Sequence, residues 1–195
     1  MLPSWINLDN SPSIILARLP LLENILYRTG FITPEQHKTH WRGTLYQDVT
    51  RGLPFSSGSI EKIYSSHMLE HLGRKQGERV LSECHRVLKK GGVFRIVVPD
   101  LAYYAKCYLQ KISGPNGVGR EAHDEFLWIV YGAYLKKGRP GANHRYMYDW
   151  PTLRIVLKQT GFDEVTLQQY QQGKDAEMCS LDNRAEDSLH IEAVK

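Results

Sequence analysis

Three groups of residues in this 195-residue chain have the types and spacing that chemistry requires. The first is Ser65-Ser66-His67, with Glu70-His71 close behind. Hydroxyls and an imidazole beside a carboxylate can grip polar ligand atoms and move a proton, and histidine titrates near neutral pH. His67 and His71 stand four apart and share a face if the segment is helical. HMLEH lacks the layout of the zinc-protease H-E-x-x-H, and no third ligand is evident, so no metal is expected. The competing reading of Glu70 and His71 is that they hydrogen-bond to nearby backbone. His67 is the better functional candidate. The second group is Asp9 and Asp48, each closing a short apolar segment, WINLD and TLYQD. In doubly wound nucleotide-binding folds an acid after a strand accepts hydrogen bonds from ribose hydroxyls. The alternative is that each carboxylate caps the next turn. The third group is Asn143-His144-Arg145-Tyr146-Met147-Tyr148-Asp149, which combines a base, a cation and aromatic rings. It suits a polar or anionic substrate, and equally a structural surface loop.

Such residues need elements to hold them in place. The run Ile60 to Asp100 reads strand, polar loop, helix, glycine stop, strand, acidic loop. The helix is expected from Lys75 to Lys89. Val80, Leu81, Cys84, Val87 and Leu88 form its apolar stripe, and Gly91-Gly92 ends it. Val93 to Val98 is a continuous apolar run broken only by Arg95, which suits a strand covered on both faces. Strands are also expected at Trp5–Asp9, Thr44–Asp48, Glu61–Ser65, Phe162–Gln168 and Ser188–Val194. Further helices are expected at Ile14–Arg28 (split at Pro20), Leu101–Leu109, Ala122–Leu135 and from Asp149, as N-cap, to Thr160. Gln169 to Asp187 is polar and is expected to be partly mobile. The fold class is α/β, a Rossmann-like doubly wound sheet whose ligands bind at the carboxyl ends of the strands.

The composition is that of an ordinary globular protein: 42% hydrophobic, 24% charged, net charge +4. The basic residues are scattered, so nucleic acid is not the expected partner. Three cysteines at no metal-ligand spacing fit a reducing cytoplasm. No signal peptide or membrane span is expected. A single domain over 1–195 is expected, with substrate-cap segments at 11–41 and 113–143.

WINLD, QDVTRGLPF, IYSSHMLEHL and ECHRVLKKGGVFRIVVPD together resemble the class I methyltransferases that use S-adenosylmethionine, and GFDEV with SLHIEAVK is similar to their last two strands. The resemblance runs from Trp5 to Lys195 and is nearest to small bacterial-type members. It implies methyl transfer from S-adenosylmethionine to an acceptor, most simply a small molecule. It implies that Asp9 holds the ribose, that Asp48 and Val49 recognise the adenine, and that Ser65, Ser66 and His67 line the methionine part. It also implies that Pro99 and Asp100 face the acceptor. Arg145 and Tyr146 are added as substrate contacts, and His67 and His144 as candidate catalytic bases.

The family's first strand and its glycine-rich loop do not precede Trp5 in this sequence. The expectation is therefore either direct pairing of the flanking strands or a homodimer filling the gap, with weakened cofactor binding as the other outcome. Two alternatives remain: a non-catalytic binding or scaffold protein on a degenerate methyltransferase fold, and an NAD(P)-dependent oxidoreductase, whose fold shares the logic of Asp9.

Overall fold

A computed structural model describes residues 5–11, 14–15, 19, 24–25, 27–30, 44–114, 119–131 and 144–195. The chain divides into two compact units, Met1–Pro54 and Phe55–Lys195. Asn143, Pro20, the residues before Trp5 and most of the two cap segments lie outside the described residues.

In the first unit, β1 (Asn7–Asp9) pairs in parallel with β2 (Thr44–Tyr46), Asp9 opposite Tyr46. Both strands are shorter than their apolar segments: β1 begins at Asn7 rather than Trp5, and β2 ends at Tyr46, before Asp48 turns the chain. Asp9 Oδ1 accepts from Ser11 N at 2.6 Å. Asp48 Oδ1 accepts from the Thr50 amide at 3.0 Å and its hydroxyl at 2.6 Å, opening the 3-10 turn Val49–Arg51. Residues 14, 15, 24, 25, 27 and 28 are helical, within the expected Ile14–Arg28 segment.

The second unit is built on a four-stranded sheet. Its elements in chain order are β3 (Ile60–Ser66), α1 (Arg74–Val87), β4 (Leu88–Pro99), α2 (Leu101–Ile112), α3 (Gly119–Tyr131), α4 (Trp150–Thr160), β5 (Glu164–Gln168), α5 (Ala176–Cys179) and β6 (Ser188–Val194). The spatial order is β3-β4-β6-β5. β3 and β4 are parallel across the α1 crossover, whereas β6 is antiparallel to both β4 and β5. The carboxyl ends of β3 and β4 and the start of β6 therefore share one edge, with Ser188 opposite Pro99.

Helix α1 ends earlier than the glycines suggested. Leu88 leaves the helix to pair with Ile60, and the ladder resumes only at Lys62 and Val93. The Leu88 side thus spends five steps against two, a bulge for which Gly91 supplies the left-handed turn at φ 76°. The Lys195 ammonium, rather than a glycine cap, closes the end of α1 by donating to the Arg86 and Leu88 carbonyls at 3.2 and 2.8 Å.

Strand alternation assigns the two faces of this sheet. Phe94, Ile96, Ile191 and Ala193 belong to the face that carries Phe162, whose ring centroid is 6.2 Å from that of Phe94. The expected stripe Val80, Leu81, Cys84 and Val87 is buried on α1, as are Leu153 and Leu157 on α4. Asp149 caps α4 as expected, accepting from Thr152 N at 2.9 Å, and Gly161 ends it at φ 110°.

The opposite face is polar, and residues 169–187 cover it. Lys62 pairs with Asp175, Tyr64 donates to the Leu181 carbonyl at 2.8 Å, and Ser66 bonds Asn183 at 3.1 Å. Arg95, fully buried, donates to Asp182 at 2.9 and 2.5 Å and to Glu192 at 3.0 Å. Two buried carboxylates thus face one guanidinium. The excess negative charge is met by the amides of Gln171, at 2.9 Å from Asp182, and Lys174, at 3.0 and 3.1 Å from Glu192. The segment expected to be mobile is therefore fastened to the sheet by charge-assisted bonds, and its Met178 is fully buried.

Candidate functional site

The site grows from the end of β3. After Ser66 the chain turns at His67, whose φ of 50° is in the left-handed region that side chains with a Cβ avoid, at a cost of roughly 1–2 kcal/mol. Strain of this kind marks positions where the surroundings fix an unusual conformation. The His67 amide still reaches β4, donating to Val97 O at 2.9 Å. Its ring is held between two neighbours: Nδ1 lies 3.3 Å from Glu70 Oε1, and Nε2 lies 3.3 Å from Ser188 Oγ.

The contacts continue on both sides. Ser188 Oγ donates to Asp187 Oδ1 at 3.1 Å, and the Tyr104 hydroxyl donates to Asp187 Oδ2 at 2.6 Å. Burial pushes the Asp187 carboxyl up, but the bonds from Tyr104 and Ser188 outweigh it and hold the group below the ordinary range. Burial, and then the bond to Asp187, raise the Tyr104 phenol well above its usual value. Glu70 is buried in the 3-10 turn Leu69–His71, and neither carboxylate oxygen makes a hydrogen bond. Its main-chain carbonyl accepts from Arg145 N at 2.7 Å and Tyr146 N at 3.2 Å. These bonds dock the His144–Asp149 segment onto the turn.

The docking places the His144 ring 5.2 Å from that of His71. His144 Nδ1 lies 2.5 Å from the Ile129 carbonyl on α3. A carbonyl only accepts, so Nδ1 carries the proton and Nε2 presents a lone pair. Burial lowers the affinity of His144 for a second proton more than the Ile129 bond raises it, so its folded pKa is below the usual 6.5. Arg145 is exposed beside it, and the Tyr146 and Tyr148 rings meet edge-on at 4.9 Å.

The residues singled out in the sequence therefore fall as follows. In the second unit Ser65, Ser66, His67, Pro99 and Asp100 end adjacent parallel strands, and the segment with His144, Arg145 and Tyr146 joins them through the Arg145 and Tyr146 amides, which donate to the Glu70 carbonyl. Pro99 is buried, and Asp100 caps α2 by accepting from Ala102 N at 3.0 Å. In the first unit Asp9 and Asp48 are half-buried turn acceptors, and the Asp9 turn bond uses Oδ1 only. Sequence reasoning missed Ser188, Asp187 and Tyr104. Their only signal was position, since Ser188 opens a strand at the active edge. A cavity of about 760 Å³ also lies in this unit, lined by Gln168, Gln172, Lys174 and Ser180 among others. None of the His67–Glu70–His144 group lines it.

The comparisons agree with this architecture. Residues 29–96 match a family model described as a methyltransferase domain. An uncharacterized methyltransferase of Synechocystis is 34% identical over 56 residues, 29% of this chain and 26% of that protein. The chain thus spans about a quarter of that relative. A crystal structure of a SAM-dependent methyltransferase from Archaeoglobus fulgidus superposes with a TM-score of 0.53 at 15% identity, covering 84% of this chain and 73% of that one. A possible exported protein of Bordetella parapertussis gives 0.52 at 12% identity, covering 97% and 52%. The fold is shared with a SAM-dependent methyltransferase structure, and residues 29–96 match the methyltransferase-domain model.

Proposed function

We propose that this chain is a cytoplasmic methyltransferase that uses S-adenosylmethionine to methylate a small-molecule acceptor. The observation that carries this reading is the pinned turn after β3, where His67 stands between Glu70 and Ser188 within the matched domain. The chemistry of the donors fits the cofactor. Asp9 keeps Oδ2 beyond its turn bond and is proposed to accept from the ribose hydroxyls. Asp48 and Val49 are proposed to recognise the adenine, and Ser65 and Ser66 the methionine part. The bound cofactor would supply an electrophilic methyl on sulfur.

The acceleration expected from this chain is mainly positioning of the acceptor and exclusion of water. His67 is proposed as the group that takes the acceptor's proton, with Ser188 and Glu70 fixing the ring. Asp100, Arg145 and Tyr146 are proposed to hold a polar or anionic acceptor, with Pro99 setting the end of the strand. Three free cysteines support the cytoplasmic placement. Among the described residues, no helix is long and apolar enough to cross a membrane.

Isothermal titration with S-adenosylmethionine and with NAD tests the reading. Saturable heat with the first and none with the second is expected. Binding of NAD alone would identify a dehydrogenase, and binding of neither would leave a scaffold on a degenerate fold. A His67→Asn variant keeps a residue that tolerates the left-handed backbone. It should bind the cofactor within about twofold of the parent and lose roughly 10²–10⁴ in turnover. Undiminished turnover would remove His67 from the mechanism.

A further inference from the structure

HMLEH alone offered two histidines and no third ligand, and the fold changes that arithmetic. The His67 ring rests between Glu70 and Ser188, and a different histidine arrives from far along the chain to stand with Glu70 and His71. Glu70, His71 and His144 each bring one ligating atom to within 4.8 Å of the others. From these three side chains we propose a divalent-metal site.

Glu70 is the strongest reason. It is 1% exposed, and neither carboxylate oxygen makes a hydrogen bond. His67 Nδ1 lies 3.3 Å and His71 Nε2 3.9 Å from its Oε1. A buried carboxylate without hydrogen bonds is costly unless a charge compensates it. His144 is prepared as a ligand. Its Nδ1 proton is committed to the Ile129 carbonyl at 2.5 Å, which fixes the ring and leaves the lone pair on Nε2. Metal-bound histidines characteristically have their second nitrogen committed in this way. The site is also assembled before any ion arrives, because Arg145 N and Tyr146 N tie the His144 segment to the Glu70 carbonyl at 2.7 and 3.2 Å. Ligands bound at about 2.0–2.2 Å stand roughly 3–3.5 Å apart around one ion, so side-chain shifts of about 1 Å suffice to close the triad.

Two imidazoles and one carboxylate select a borderline ion such as zinc, manganese, iron or cobalt over calcium. Three protein ligands leave coordination positions open. Both histidines are only partly buried, so a small oxygen donor can reach those positions. On the methyl-transfer reading, and only on it, that donor is a hydroxyl or carboxylate of the acceptor. The ion and a catalytic-base role for His144 exclude each other, since a ligated Nε2 takes no proton.

The test uses the full chain freed of metal by chelation, titrated with zinc, manganese or cobalt alone. One equivalent should bind, and cobalt should give visible absorption bands of a nitrogen–oxygen site. Glu70→Gln and His144→Ala should each weaken binding by about 100-fold or more, judged against the 10–100-fold effects of outer-shell changes. His123→Ala, at an exposed histidine, should change nothing. Binding of no ion, or binding indifferent to Glu70→Gln and His144→Ala, overturns the site. If those variants do not fold, histidine modification by diethyl pyrocarbonate on the unmutated chain decides. Zinc should protect His71 and His144 but not His123, and absence of protection overturns the site. Titration of S-adenosylmethionine in the same samples separates the two readings. Cofactor binding without metal sinks only the metal site, and metal binding without cofactor sinks only the methyltransferase.

Discussion

At the scale of the residue, Asp9 and Asp48 show how one carboxylate can serve two readings at once. Each accepts a hydrogen bond from the turn that follows its strand. An Asp at a strand end is what both a cap and a ribose acceptor require, so the sequence could not separate them. Asparagine separates them experimentally, because its side-chain oxygen caps as well as aspartate does but carries no charge. Asp9→Asn should therefore leave the thermal midpoint unchanged. Cofactor affinity should fall about tenfold or more, as expected when a charged hydrogen-bond acceptor worth roughly 1.5–3 kcal/mol is neutralised. Isothermal titration reads the result, and full retention of affinity would reduce Asp9 to a turn residue. His67 was legible for a simpler reason: it follows a strand that the local apolar pattern identifies. Glu70 was read as bonding nearby backbone, whereas its carboxylate is buried without a hydrogen bond and its carbonyl takes the distant Arg145 and Tyr146 amides, a docking that no local pattern encodes.

At the scale of the element, bounds set by local signals were legible, such as the Asp149 cap and Thr160 end of α4, and bounds set by distant partners were not. Ser188–Val194 alternates and was placed to the residue, whereas α1 ends at Val87 because Leu88 is claimed by β3 and the C-terminal lysine supplies the cap. Both partners are distant in sequence, so the glycine pair was the only stop signal available locally. Gly77 within α1 is a further case of tertiary override. A Cβ there would lie 2.6 Å from the Tyr148 hydroxyl, with Leu69 Cδ1 at 3.6 Å. Helix propensity favours alanine by about 1 kcal/mol, but the collision with a buried tyrosine should cost about 1–3 kcal/mol and win. Gly77→Ala alone should thus destabilise the fold. In a Tyr148→Phe background the clash is gone, and the same substitution should become neutral or stabilising. Urea unfolding of the four proteins in this cycle measures the coupling, and additive effects would show that Tyr148 moves aside freely.

At the scale of the whole molecule, the polar sheet face is the feature that sequence reading misjudged most. Arg95 looked like an interruption in an apolar strand, and 169–187 like a polar, partly mobile segment. Arg95 reaches Asp182 of that segment, 87 residues on, and Glu192 of β6, 97 residues on. Gly173 belongs to the same assembly, for a Cβ would lie 2.0 Å from Glu192 Oε1 and 2.7 Å from an Arg95 nitrogen. Gly173→Ala should separate that buried pair and cost about 3–5 kcal/mol, the loss typical when one buried charge is stranded. The assembly also fixes how stability responds to acid. Burial lowers the His190 pKa below 6.5; the Asp182 charge pulls it back up, and the Arg95 and His67 charges push it down further. The unfolded chain therefore takes up a proton that the fold refuses, and stability must fall as pH drops below about 6.5. Asp182 follows at lower pH. Burial raises its pKa, but the Arg95 bonds, the Gln171 amide and the charges of Arg95 and His190 outweigh it, so it sits below 3.8. Its contribution is present above that value and is lost as pH falls through the folded pKa. On the alkaline side the signs reverse. Burial lifts Tyr64 to about 12, so the unfolded phenol loses its proton first and stability declines as pH rises past about 10. The urea midpoint measured against pH should therefore form a plateau with two falling limbs. His190→Gln should shrink the acid limb between about pH 4 and 6.5, leaving the share that His144 contributes through its own lowered pKa and the drop below pH 4. An unchanged limb would mean that another group takes up the proton.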